Sequence, residues 1–140
     1  MSLEENKALF HRFNDEVINK KNADAIGQFF AADYVDHNPP PIGEPGLEGF
    51  KQALGAYFAA FPDLHTDIDD LIAEGDKVVG RMTTRGTHRG ELMGIAPTGK
   101  QITMAEIHIV RYSGGKVVEH WGIEESMGMM QQLGVIPAEG

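Results

Sequence analysis

Three carboxylates, Asp36, Glu106 and Glu124, and three imidazoles, His37, His108 and His120, are the side chains of this sequence suited to moving a proton. Removing a proton α to a carbonyl needs a base whose pKa is tuned toward working pH. A carboxylate in an apolar cavity is pushed that way by desolvation, and a histidine within hydrogen-bond reach can steady the oxyanion that forms. Glu106 and His108 stand two residues apart in a run rich in Ile, Val, Thr and Tyr, Gln101 to Tyr112, so on a strand they share one face. Each candidate also has a plainer reading. Glu106 with His108 could be a buried ion pair that satisfies only itself. Asp36-His37, just before Asn38-Pro39-Pro40-Pro41, could be strand-end turn chemistry. Glu124 and Glu125 could cap a helix starting at Ser126.

The elements that position these residues follow from spacing. Ser113-Gly114-Gly115 separates Gln101–Tyr112 from a second β-like run, Lys116 to Ile123, and reads as a hairpin turn. Alternation puts Met104, Glu106, His108 and Val110 on one face of the first strand and Val118, His120, Gly122 and Glu124 together on the second. Trp121 falls on the opposite face. Upstream, Ser2 with Glu5 is a capping box opening a helix to about Asn19. Asn22 can cap a short second helix. Asp33 to His37 is extended, and Leu47 to Phe61 carries a helical apolar stripe that includes Tyr57 and ends at Pro62. Thr66–Ala73 and Val78–Arg85 read as strands, Gly86–Gly99 as a glycine-punctuated loop, and Ser126–Leu133 as a closing helix with Gly134 after it. Helices first and consecutive strands later indicate an α+β fold with a mainly antiparallel sheet.

Composition narrows the function classes. The 140 residues, 41% of them hydrophobic, suit a single domain, 1–140, with a sizeable core. A net charge of −9 argues against nucleic acid or anionic membrane as partner. No cysteine is present, so thiolate chemistry is excluded. No run approaches a membrane span, and the start, MSLEENK, does not resemble a signal peptide, so a cytoplasmic protein is expected. No H-x-H or H-x-x-x-H pair occurs, and the candidate ligands come from separate strands, so no metal is expected. His11 and His65 read as surface or loop-edge residues, and His88 lies at the start of the glycine-punctuated loop.

The element order, with DYVDHNPP, the stretch AAFPDLHTDIDDLIAEGDKVVGRMTTRGTHRGELMGIAPTGKQI, and GGKVVEHWG…MGMMQQLG, resembles the SnoaL-like polyketide cyclase family of the nuclear-transport-factor-2-like superfamily. The resemblance implies a cone-shaped α+β barrel, a curved sheet wrapped around N-terminal helices and enclosing a cavity. It also implies cofactor-free aldol closure of a polyketide ester, with an Asp on the last strand as acid/base and a His beside the enolate. The family's His falls on His108, its pocket Gln on Glu106 and its pocket Asn on Asp36, while its catalytic Asp falls on Gly122. The base is therefore displaced or the activity changed. Glu106 is the expected acceptor, with Asp36 in reserve and His108 and His120 as partners. His37, Met104, Gly122, Glu124, Tyr57 and Met93 are expected to touch a small apolar carbonyl ligand, with Leu92, Met93 and Ile95 of the loop as its lid. The alternative is a binding module without chemistry, which the loss of the Asp at Gly122 suggests. Ile107, Ile109, Arg111 and Trp121 on the outer face point to a homodimer.

Overall fold

The computed structural model describes residues 2–137; Met1 and 138–140, the ends of the expected 1–140 domain, lie outside the described residues. Ser2 caps helix α1 (Leu3–Phe13) through the expected reciprocal bonds with Glu5. The helix does not stop there but widens into a π-helix, Asn14–Asn19. That widening puts residues five apart on one side, and Asn14 and Asn19 both donate a side-chain N–H to the carbonyl of Thr66, each at 3.0 Å. A 3₁₀ helix, Ala23–Gln28, follows; Asn22 makes no side-chain cap there, so the expected cap is absent.

Strand β1 (Phe30–Asp36) comes next, then α2 (Leu47–Ala60), then β2 (His65–Glu74), β3 (Lys77–Thr87), β4 (Gln101–Ser113) and β5 (Lys116–Glu124), and finally α3 (Ser126–Leu133). The five strands lie in the order β1-β5-β4-β3-β2. Only β1 against β5 is parallel; the other pairs are antiparallel. The sheet is α+β in the expected sense but open, because β1 and β2 are not joined to each other.

Alternation on β4 is as read from the sequence: Met104, Val110 and Tyr112 are buried while Ile107 is exposed. On β5 it is interrupted. Arg111 pairs with Glu119 but Tyr112 pairs with Val117, leaving Val118 as the extra residue of a bulge. Val117, not Val118, therefore enters the core. The helices fill the concave side, where Phe10, Val17, Ile26 and Phe29 pack against Val78, Met82, Val110 and Val117. A second cluster, Ala60, Phe61, Leu64, Leu92, Ile102, Met129 and Leu133, closes one end. No described helix is long and apolar enough to cross a membrane.

Candidate functional site

Between helices and sheet lies a pocket of about 320 Å³. Phe10, Phe50, Tyr57 and Phe58 line it from the helices, Met82, Met104, Val110 and Tyr112 from the sheet, and Asn38 to Pro41 at the rim. Asp36, Glu106, His108, His120, Gly122 and Glu124 form its polar wall. Among the described residues, no lysine or arginine lines it.

Register explains why these side chains meet. Glu106 pairs with Glu124 and His108 with Gly122 across β4 and β5, and Asp36 pairs with His120 across β1 and β5. The result is a continuous hydrogen-bonded chain. Asp36 Oδ1 is 2.7 Å from His120 Nδ1, His120 Nε2 is 2.9 Å from His108 Nδ1, and His108 Nε2 is 2.9 Å from Glu106 Oε1. Glu106 Oε2 accepts from Thr84 Oγ1, which with Glu106 ionised accepts in turn from Thr66 Oγ1 at 2.7 Å. Thr66 is the residue held by Asn14 and Asn19. The rings of His108 and His120 lie 5.1 Å apart, 27° from parallel.

A hydrogen bond in each of the three gaps needs a proton in each. Two neutral imidazoles supply one apiece, so the chain holds one more and carries a net charge of −1 over its two carboxylates and two rings. Burial pushes His108 down, but the hydrogen bond to Glu106 and the charges of Glu106, Glu124 and Asp36 outweigh it, and its pKa is raised. Burial pushes Asp36 up, but the bond and charge of His120, with the Asn38 N–H and the Tyr34 hydroxyl, hold it below the usual carboxylate range. Burial, then the charges of Glu124 and Glu106, push the Tyr57 phenol up to about 12, so it stays a donor at neutral pH.

Gly122 is what lets the rings touch. A β-carbon there would collide with the Nδ1 edge of His108 and stand 2.9 Å from His120 Nε2. Its amide instead donates to Asn38 Oδ1 at 3.0 Å, tying the rim to β5. Asp36 also makes the strand-end turn, accepting from the Asn38 N–H at 3.0 Å. Glu106, His108 and Glu124 can each offer a donor atom within 4.8 Å of the others, a spacing a divalent cation could bridge.

Met104, Tyr57, Gly122 and Glu124 line the pocket, but His37 and Met93 do not. His37 follows Asp36 on a strand, so it points to the other face. There it stacks on Trp121 at 4.8 Å and pairs with Glu119 at 2.7 Å. Met93 is exposed in a turn with φ 48°. The loop it belongs to is no lid, because Leu92 is buried in the second core cluster and none of residues 86–99 lines the pocket. His88 is buried against Phe61, away from the pocket. Thr84, Thr66, Asn14 and Asn19 were missed from the sequence. The available signal was Thr84 standing two residues from Met82 on an otherwise apolar face of β3.

The profile of the SnoaL-like polyketide cyclases matches residues 8–133. The aklanonic acid methyl ester cyclase of Streptomyces peucetius is 27% identical over 125 residues, 85% of this chain and 84% of that protein. The nogalonic acid methyl ester cyclase of Streptomyces nogalater is 26% identical over 121 residues, 83% of this chain and 88% of that protein. Among solved structures, TsrD from Streptomyces laurentii superposes with a TM-score of 0.86 at 28% identity, covering 97% of this chain and 99% of its own. IdmH from Streptomyces antibioticus superposes at 0.80 with 30% identity, covering 92% and 98%.

Proposed function

The chain belongs to the SnoaL-like polyketide cyclase family, and from that premise we propose that it performs cofactor-free acid/base chemistry on a small apolar carbonyl compound. The reaction that fits best is an aldol-type ring closure. A carboxylate removes the proton α to a carbonyl, the resulting carbon attacks a second carbonyl, a C–C bond forms, and the second oxygen takes up a proton. The product is an isomer of the substrate, so no oxidant or co-reactant is consumed.

One observation carries this reading: the chain Asp36–His120–His108–Glu106 lies along the polar wall of an otherwise apolar pocket. It stores one exchangeable proton next to a carboxylate pair, and the Tyr57 hydroxyl is a donor in the same space for a developing oxyanion. The aromatic lining suits an uncharged ring system, and the negative wall without lysine or arginine disfavours a free acid. Two relatives are named for methyl esters, which are uncharged in this way. A binding module without chemistry was suggested by Gly122 alone, and two imidazoles now occupy that space. We further propose that two copies associate through the outer face of the sheet.

The test is to incubate the protein in D₂O with a panel of aromatic polyketide methyl esters and follow mass and chromatographic retention. Exchange at the α carbon, then a product isomeric with the substrate, is expected. If no ester shows exchange or isomerisation above buffer, the chemistry is not of this kind.

A further inference from the structure

We propose that Glu124, and not Glu106, takes the substrate proton, and that Asp36–His120–His108–Glu106 is a positioning device standing behind it. This rests on the acid/base reading above and specifies the acting group.

Availability separates the three carboxylates. A base needs a free lone pair within about 2.6–3.2 Å of the atom it deprotonates. Both oxygens of Glu106 are already engaged: Oε1 accepts from His108, Oε2 accepts from Thr84, and its side chain is 11% exposed. Asp36 is equally committed, with Oδ1 taken by His120 and the Asn38 N–H, Oδ2 by Tyr34, and 9% exposure. Either would weaken the charge-assisted bonds it already makes by accepting a new proton.

Glu124 differs on each count. Its carboxylate makes no hydrogen bond among the described residues. It sits opposite Glu106 in the β4–β5 ladder, so it shares the inward face, and Oε1 lies 3.9 Å from His108 Nε2. Its side chain is 40% exposed and lines the pocket. Of the two glutamates read as capping α3, Glu125 is the N-cap residue, and no side chain hydrogen-bonds to that helix end.

The chain behind Glu124 gives it strength as a base. Burial, then the charge of Glu106, raises its proton affinity above that of an ordinary glutamate, with His108 partly opposing. Thr84 and His108 hold the Glu106 side chain in place beside it.

The test needs no native substrate. In 5-nitrobenzisoxazole a base removes the C3 proton, the N–O bond breaks, and the electron pair leaves on oxygen as a coloured cyanophenolate. This elimination reports any competent carboxylate in an apolar pocket. We expect the full chain, assayed in EDTA, to outpace acetate at equal concentration. Glu124→Gln should lower kcat/KM at least about tenfold with an unchanged melting curve. Glu106→Gln should keep a measurable rate, but its pH–rate profile should move to lower pH, because the charge that raises Glu124 is gone. If Glu106→Gln abolishes the rate and Glu124→Gln does not, Glu106 is the acceptor and this inference falls while the acid/base reading stands. If the wild-type chain is no faster than acetate, both fall.

Discussion

At position 122 the contact between His108 and His120 depends on a hydrogen atom where any other residue has a carbon. The glycine is not there for its backbone, since its φ is outside the left-handed region that several other glycines of this chain adopt. An alanine would therefore be accepted by the strand and would strike only the rings. Gly122→Ala should cost roughly 1–3 kcal/mol, the usual penalty of a methyl forced into packed space, measured by urea denaturation. The imidazole N–H shared by His108 and His120 should vanish from ¹⁵N-histidine spectra, while the His120–Asp36 signal persists. An alanine variant with wild-type stability and an intact ring–ring signal would mean that the rings can meet by another route. By the same collision, an acidic side chain at 122 would exclude this contact between the imidazoles.

The loop between β3 and β4 shows how an element with lid-like composition can be structural. His88 N–H bonds the Lys100 carbonyl at 2.9 Å, Gly99 N–H bonds the His88 carbonyl at 2.8 Å, and Arg89 and Gly90 both bond the carbonyl of Ala60. Leu92, 1% exposed, is the apolar plug of this arrangement. Leu92→Ala should cost about 2–5 kcal/mol in a thermal or urea melt, and leave the 5-nitrobenzisoxazole rate per folded molecule unchanged. A variant that melts normally but turns over more slowly would restore the lid. Most elements were legible because period and punctuation agree: the Gly114-Gly115 turn, Pro62 after α2, and the Ser2–Glu5 box each mark a boundary that local chemistry decides. What was not legible depends on partners distant in sequence. The bulge at Val118 answers to β4. The π-helix brings Asn14 and Asn19 together on a carbonyl of β2. The Asp36–His120 pair needs β1 to lie parallel beside β5, which no short-range pattern states. His37 is the exception, since alternation from Asp36 already places it on the outer face.

Seen whole, the molecule has one covered and one uncovered side of its sheet. The covered side is filled by helices and holds the pocket. The uncovered side divides in two. One part is ionic: Arg111 pairs with Glu119 at 2.8 Å, His37 stacks on Trp121, and the Lys77 ammonium lies 5.7 Å from that ring. The other part is aliphatic, with Ile107 50% and Ile123 77% exposed beside Ile109, all bordering one shallow groove. Ile107 and Ile123 face each other across β4 and β5, and Ile109 faces Trp121, so the patch is continuous and fixed by the ladder. Continuous exposed apolar surface of this kind marks an association site, and the occupant we propose is a second copy meeting it with the same patch, as two-fold dimers do. Two copies each at −9 repel one another, so association driven by apolar burial should tighten as salt screens the charge. Sedimentation velocity at micromolar concentration should show a dimer whose dissociation constant falls between low and moderate salt. Ile107→Lys with Ile123→Lys should give a folded monomer, because both changes are on exposed positions of intact strands. A wild-type chain that stays monomeric at every salt concentration would leave the aliphatic patch without this partner.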